Sequence, residues 1–334
     1  MPLGPNTKKF FEKIKSEEKE NPQTPFWELP DINAVRKTLM PGFEALATEF
    51  PNGIFESDFK SSLLKLSGGR EIEAAIYTPK KLSTRRVLPS IVYFYGGGFC
   101  LDLMTFQKAP CATIANEAEC QIIMLNPPLA PEHSAKEILD TCYEAVEQLY
   151  QNPDQYHIDK ENFILAGCSS GGTIAALITN QSLSSKHLNI SQQILISPLA
   201  DLSLETHKNN PHINKQKKDL MLTTEALTYF AATFTEQTID LKSPEVSPLY
   251  FKIDMNKKMP CTMIFVAEYD GLQGDGYAYE KKLRINGQNV KLVNFYGQTH
   301  NFLSCRKVLN DGDDPAGLAG RLIRSNLKLE TPFS

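Results

Sequence analysis

Hydrophobic residues along the chain form short apolar runs, separated by segments in which apolar residues recur at helical spacing. The two alternating runs at 61–66 and 72–77 flank Gly68-Gly69, an arrangement typical of a β-hairpin. The run at 87–95 (VLPSIVYFY) is apolar almost throughout, which favours a strand buried on both faces. Four more runs of this kind predict strands at 121–125, 163–166, 193–196 and 262–266, and a fifth predicts one at 290–295.

Helices are predicted between these strands, because apolar residues there recur every three or four positions. The segments are 135–150, 171–183 and 276–286. Alternation of strand and helix is typical of a mostly parallel sheet that is covered by helices on both faces. The pattern therefore predicts an α/β fold.

Two segments depart from this alternation. The first is the N-terminal part, which is charged and contains prolines that we expect to limit any helix to a short piece: Pro22, Pro25, Pro30, Pro41 and Pro51. The second is a polar insertion with one helical stretch at 223–235, and insertions of this size usually act as lids or binding loops. We predict that residues 1–52 and 198–258 form a helical cap, and that residues 53–197 and 259–334 form the two parts of the core.

The strongest chemical signal is Gly167-Cys168-Ser169-Ser170-Gly171, which stands between a predicted strand and a predicted helix. A G-x-S-x-G pattern in this position is typical of a nucleophile elbow, whose tight turn requires glycine two residues before and after the serine. Ser169 is therefore the candidate nucleophile. Ser170 and Cys168 fit the turn poorly, and we expect Cys168 to serve in packing.

Three consecutive glycines, Gly96 to Gly98, follow the apolar run at 87–95. Alone, such a run could be a flexible turn or a backbone that approaches another group closely. With a nucleophile elbow downstream, it indicates a loop whose N–H groups stabilise the oxyanion of acyl transfer. The N–H of Ser170, directly after the nucleophile, is the other expected donor.

Chain order indicates the remaining catalytic residues, since this class of fold places nucleophile, acid and base in that sequence. His300 lies beyond the last predicted strand and is the candidate base, and Asp270 follows the strand before it and is the candidate acid. Such a carboxylate would hold the imidazole tautomer and stabilise its cation. Glu268 and Asp275 remain alternatives to Asp270. We expect two histidines of the insertion, His207 and His212, to be solvated.

Composition narrows the classes of function. Hydrophobic residues make up 41% of the chain and charged residues 22%, with a net charge of −4, so nucleic acid and anionic membranes are not expected partners. The apolar runs are too short for a membrane span and the N-terminus is unlike a secretory signal, which favours a cytoplasmic location. The seven cysteines lack C-x-x-C spacing, which argues against a zinc site and a complete disulfide framework. A homodimer is left open.

Five motifs in order resemble the hormone-sensitive-lipase-like family of α/β-hydrolases. Residues 95–98 resemble its H-G-G-G loop, 129–133 (LAPEH) its Y-R-L-A-P-E-H segment, and 167–172 its G-D-S-A-G-G elbow. Residues 270–272 and 300–302 are similar to its D-P-L and H-G-F motifs. The resemblance implies an α/β-hydrolase fold with a cap and hydrolysis of short to medium acyl esters without a metal or cofactor. It also implies oxyanion donors at Gly97, Gly98 and Ser170.

Some residues depart from the family pattern. Tyr95 stands in place of the histidine, Asn126-Pro127-Pro128 precedes LAPEH, and Cys168 replaces the aspartate of the elbow. A small-molecule ester is the expected substrate. An amidase or peptidase and a non-catalytic receptor are the alternatives, although related receptors lose the base histidine; a lipase is disfavoured because the insertion is polar. The residues expected to line the acyl and alcohol pockets are Phe99, Leu222, Tyr229 and Phe230.

Overall fold

The computed structural model describes residues 3–20, 22–48, 57–208, 222–305 and 314–327. Eight strands form one sheet. They are β1 (Ser57–Lys65), β2 (Glu71–Pro79), β3 (Leu88–Phe94), β4 (Gln121–Asn126), β5 (Ile158–Cys168), β6 (Gln192–Ile196), β7 (Cys261–Tyr269) and β8 (Val290–Thr299). Every strand predicted from the apolar runs is therefore present.

The strand order is β1-β2-β4-β3-β5-β6-β7-β8. The hairpin β1–β2 and the pair β2–β4 are antiparallel, and the remaining neighbours are parallel. Gly68 and Gly69 close the hairpin with φ values of 65° and 78°, a region that glycine enters without steric cost. The sheet is thus mostly parallel, as the alternation of strands and helices predicted.

Helices flank the sheet, and those predicted from helical spacing are confirmed. They are α1 (Pro5–Glu20), α2 (Ile32–Thr48), α3 (Lys108–Ala118), α4 (Ala135–Gln151), α5 (Pro153–Tyr156), α6 (Ser170–Ser182), α7 (Glu205–Lys208), α8 (Thr224–Thr235), α9 (Gln273–Ile285) and α10 (Pro315–Arg324). Helix α4 begins with a capping box, in which Ser134 and Glu137 each bind the other's backbone N–H. None of the helices in these described ranges is long and apolar enough to cross a bilayer.

The N-terminal segment contradicts the expectation of short helical pieces. Helices α1 and α2 contain 16 and 17 residues, and Pro41 lies inside α2. Pro22, Pro25 and Pro30 fall in the connection between the two helices, where they interrupt nothing. Burial of Val35 and the contact between the Phe43 ring and the core explain why α2 continues through a proline, since packing outweighs local propensity.

The two segments predicted to form a cap contain residues that pack on each other. Phe26, in a short 3-10 turn between α1 and α2, places its ring 5.9 Å from that of Tyr229 and 5.4 Å from that of Phe230 on α8. The boundaries at 52, 197 and 258 stay a prediction. Residues 49–56, 209–221, 306–313 and 328–334 lie outside the described residues, and His212 is among them.

Candidate active site

Ser169 lies at the turn between β5 and α6, in the strained backbone conformation φ 54°, ψ −124°. Only glycine fits at positions 167 and 171, because any side chain there would collide with backbone atoms. A Cβ on Gly167 would come within 2.1 Å of the carbonyl oxygen of Gly171, and one on Gly171 within 2.1 Å of that of Phe94. The spacing of the motif therefore reflects a turn that no larger residue would fit.

The same edge of the sheet carries the other candidate residues. The glycine loop follows β3, Asp270 follows β7 and His300 follows β8, and the carboxyl ends of parallel strands meet at one edge. The backbone of Ser169 is also hydrogen-bonded to this edge, because its N–H donates to the carbonyl of Ile196 at the end of β6 (2.9 Å). Ser169 retains 8% of its accessible surface and His300 retains 3%.

Asp270 and His300 form a buried pair. Nδ1 of His300 lies 3.0 Å from each carboxylate oxygen of Asp270, and the N–H of Leu272 donates to Oδ1 from 2.9 Å. Burial raises the pKa of Asp270, but the charge of His300 and these hydrogen bonds outweigh it and hold the pKa below its ordinary value. Asp270 is therefore an ionised acceptor, and Nδ1 of His300 carries the proton.

The two alternative acids have other contacts. The carboxylate of Glu268 accepts a hydrogen bond from the N–H of Gly297 (2.8 Å). Asp275 is fully buried and accepts from the N–H groups of Ala200 (2.8 Å) and Asp201 (2.9 Å). Of the three carboxylates considered from the sequence, Asp270 is the one in contact with His300.

The glycine loop lies directly against Ser169. A Cβ on Gly96 would stand 2.9 Å from the Cβ of Ser169, so only glycine allows this approach. Gly97 (φ 148°) and Gly98 (φ 60°) continue the loop in conformations that favour glycine. Within the described residues, the N–H groups of Gly97 and Gly98 donate to no other part of the chain. The loop thus presents two free donors close to the candidate nucleophile.

Comparison with known proteins agrees with this architecture. The sequence model of a family described as the alpha/beta hydrolase fold matches residues 91–304. The chain belongs to the hormone-sensitive-lipase-like family of α/β-hydrolases.

Several proteins of similar sequence are ester hydrolases. An ethyl acetate hydrolase of Pseudomonas putida is 25% identical over 261 residues, which span 78% of this chain and 80% of the relative. An arylesterase of Saccharolobus solfataricus is 26% identical over 233 residues, spanning 70% of this chain and 73% of the relative. A solved structure of an ester hydrolase from the metagenome of Lake Arreo matches with a TM-score of 0.86 at 23% identity, covering 97% of this chain and 99% of that one. The structural likeness supports the shared fold.

Two departures from the hydrolase family's pattern are in contact with each other. The hydroxyl of Tyr95, in place of the family's histidine, donates to Oδ1 of Asn126 at the end of the neighbouring strand. Tyr95 is buried, which raises the pKa of its hydroxyl and keeps the proton on it. Both departures are visible in the sequence, but their contact was not predicted from it. The two residues stand at the ends of predicted strands, and the contact could have been inferred had these strands been known to be neighbours in the sheet.

The four residues expected to line the substrate pockets lie in different surroundings. Phe99 stacks on Phe234 with ring centroids 3.8 Å apart. The Phe230 ring covers Gly98, since a Cβ on that glycine would lie 2.4 Å from the ring. Tyr229 contacts Phe26, and the carbonyl of Leu222 lies beside Gly271, next to the candidate acid. Phe99 and Phe230 thus adjoin the glycine loop, and the binding role of all four stays a prediction.

His207 is not solvated, contrary to the expectation from the polar insertion. It retains 1% of its accessible surface. Nδ1–H donates to the carbonyl of Gly271 (2.7 Å), and Nε2 accepts from the hydroxyl of Thr224 (2.7 Å). The residue joins the insertion to the segment that carries Asp270. No periodicity in the sequence signals this contact, because it depends on how the insertion folds back.

Cys168 packs beneath the elbow, as expected. It is buried, and burial raises the pKa of its thiol to about 12, so the thiol stays protonated. All seven cysteines are free. The described part of the chain contains no cluster of three or more histidine, cysteine, aspartate or glutamate side chains with metal-site geometry.

Proposed function

We propose that this chain is a serine carboxylesterase that hydrolyses small-molecule esters with short to medium acyl groups. The observation that carries the proposal is the buried Asp270–His300 pair at the sheet edge where Ser169 stands on its elbow. A buried carboxylate that holds Nδ1 of an imidazole leaves Nε2 as the basic position for a nucleophile. The esterases among the relatives support the same class of reaction.

The first half-reaction acylates Ser169. Its Oγ attacks the ester carbonyl while Nε2 of His300 takes the hydroxyl proton, and Asp270 stabilises the imidazolium that forms. The oxyanion receives hydrogen bonds from the N–H groups of Gly97, Gly98 and Ser170. The C–O bond to the alcohol then breaks, and the alcohol leaves with the proton from Nε2.

The second half-reaction releases the acid. Water attacks the acyl carbonyl and passes one proton to Nε2 of His300, and the new oxyanion uses the same donors. Collapse of this intermediate returns the proton to the Oγ of Ser169 and frees the carboxylic acid. The protein and one water molecule supply every proton and bond of the two half-reactions, so the proposed reaction uses no cofactor.

Crowding above the glycine loop supports a preference for small acyl groups. The Phe230 ring rests on Gly98, and Phe99 is held by its stack with Phe234. A substrate carbonyl that reaches the loop has to fit beneath these rings. Long acyl chains would require them to move.

A cytoplasmic location and a small-molecule substrate fit the cysteines and the net charge of the chain. Six of the seven free cysteines are buried and none is paired, which fits a reducing compartment such as the cytoplasm. The net charge of −4 favours neither nucleic acid nor a membrane surface as a partner. A homodimer is compatible with this role, and gel filtration with light scattering would test it.

Hydrolysis of p-nitrophenyl esters from acetate to palmitate, by the wild-type protein and Ser169→Ala, tests the proposal. We expect the highest turnover at short chains and a loss of about a thousandfold or more in the variant. Activity within about tenfold of wild type in Ser169→Ala would contradict the assigned nucleophile. A matched anilide separates an amidase from an esterase, and tight binding without turnover would indicate a receptor.

A further inference from the structure

Arg36 on α2 joins the N-terminal segment to two other parts of the chain through four hydrogen bonds. Its Nη1 and Nη2 donate to the two carboxylate oxygens of Glu132 (2.5 and 2.8 Å). Its Nε donates to the carbonyl of Cys100 (2.9 Å), and Nη2 also donates to that of Ala130 (3.1 Å). Only 23% of the side chain is exposed, and the guanidinium donates four hydrogen bonds to three residues.

One of these partners, Cys100, belongs to the segment that continues the glycine loop, and another, Ala130, is hydrogen-bonded to that segment. The N–H of Cys100 donates back to the carbonyl of Gly97 (3.1 Å), so Arg36 binds the turn in which the loop ends. The N–H of Ala130 donates to the carbonyl of Phe99 (2.9 Å). Arg36 therefore reinforces a direct link between the glycine loop and the segment that contains Glu132.

The electrostatics favour this arrangement. The hydrogen bond to Glu132 raises the pKa of Arg36, and the same bond lowers the pKa of Glu132, so both groups are charged at neutral pH. A guanidinium has the fork geometry to bind a carboxylate and two carbonyls at once, which a lysine ammonium lacks. The charge partner of Glu132 comes from helix α2, 96 positions earlier in the chain.

Because its contacts converge on the end of the glycine loop, we propose that Arg36 is a positioning residue that holds the N–H groups of Gly97 and Gly98 toward the oxyanion. This inference rests on the esterase function proposed above. Arg36 acts through the carbonyl of Cys100 and touches no substrate. Docking of α2 is thereby coupled to the geometry of the active site.

Arg70 provides a matched control. It also joins two segments through a carboxylate and a hydroxyl, Glu144 and Thr141, and it lines the same surface cleft of about 650 Å³ as Arg36. Arg70 lies at the hairpin turn and both of these partners lie on α4, away from the glycine loop. Arg70→Ala therefore removes a comparable ion pair without changing the support of Gly97 and Gly98.

The experiment compares Arg36→Ala with Arg70→Ala by ester kinetics and by hydrogen exchange of the peptide that spans 96–102. For Arg36→Ala we expect kcat on p-nitrophenyl acetate to fall by about tenfold or more with KM within about twofold, because loss of oxyanion donors acts on the transition state. We also expect faster exchange in that peptide and partial recovery of kcat with millimolar ethylguanidinium. Arg70→Ala should leave kcat and this exchange close to wild type.

Equal kcat values in the two variants, or unchanged exchange at 96–102 in Arg36→Ala, would overturn the positioning role. If the wild-type protein hydrolyses no ester, the proposed function fails, whereas the exchange comparison still decides whether Arg36 holds the loop. If Arg36→Ala does not fold, Arg36→Lys takes its place in the comparison, because lysine keeps the positive charge. That variant should fold and still show reduced kcat, and wild-type kcat in it would contradict the need for a guanidinium.

Discussion

Asp270 holds the imidazole of His300 with both of its carboxylate oxygens, each 3.0 Å from Nδ1. The pair is almost completely excluded from water, with 1% and 3% of the two residues exposed. The hydrogen bonds determine the tautomer, since an ionised carboxylate can only accept. In the neutral imidazole this arrangement places the proton on Nδ1 and leaves Nε2 as the acceptor position.

Replacing Asp270 with asparagine tests this relationship. The amide keeps the size of the side chain but removes the charge and favours the wrong imidazole tautomer, so we expect kcat for short esters to fall by roughly three to four orders of magnitude. Steady-state kinetics at neutral pH measure the effect. Glu268→Gln is the control, because Glu268 also ends β7 but binds the N–H of Gly297. A larger loss in the control would reassign the acid.

Replacing Gly171 with alanine tests the steric requirement of the elbow. The new Cβ would lie 2.1 Å from the carbonyl oxygen of Phe94 and 2.4 Å from that of Tyr95, and backbone atoms cannot rotate away. We expect the free energy of unfolding to fall by at least about 3 kcal/mol, measured by urea denaturation.

Gly42→Ala is the matched control for that variant. Gly42 lies inside α2, and an added Cβ would meet nothing within 4 Å beyond its chain neighbours and the helix backbone, so alanine should be neutral or stabilise by up to about 1 kcal/mol. A Gly171→Ala protein as stable as Gly42→Ala would show that the turn is looser than its contacts indicate.

Replacing Phe230 with alanine tests the crowding above the glycine loop. Removal of the ring from Gly98 should admit bulkier acyl groups, and we expect the ratio of kcat/KM for p-nitrophenyl octanoate to that for acetate to rise by about tenfold. Tyr229→Ala is the control, because Tyr229 shares the packing on Phe26 whereas the atoms nearest an added Cβ on Gly98 all belong to Phe230. An equal change in both variants would point to loosening of α8 instead of a specific role for Phe230.

Asp275 makes stability depend on pH. Burial raises the pKa of this carboxyl from its ordinary value of 3.8 to about 7. The folded protein thus binds the proton more tightly than the unfolded chain does. The stabilisation is complete below about pH 4 and is lost as the pH rises through about 7.

Asp275→Asn removes this titration while keeping a group of similar shape. We expect the melting temperature of the variant, relative to that of the wild type, to be higher at about pH 8 than at about pH 5. Thermal denaturation at both pH values provides the comparison, with Asp140→Asn on the exposed face of α4 as the control. A constant difference between the Asp275→Asn and wild-type curves would mean that Asp275 does not titrate in this range.

Much of the candidate site was predictable because its signals are local. Glycine at two residues before and after Ser169 follows from the sterics of one turn, and Asp270 and His300 follow from chain order along a parallel sheet. The apolar runs likewise identified all eight strands, since period and burial act over a few residues. The alternatives Glu268 and Asp275 could not be separated from Asp270 at this level, because the contact with His300 crosses 30 positions of the chain.

The sequence by itself determined the fold class, the elbow, the glycine loop and the order of the proposed triad residues. Only the tertiary structure decided that α2 runs through Pro41, that His207 is buried, and that Arg36 binds Glu132 across 96 positions. Short-range steric rules act between neighbours and therefore leave a pattern in the sequence. Contacts between distant segments form only when the whole chain packs, and no periodicity records which polar residue will find which partner.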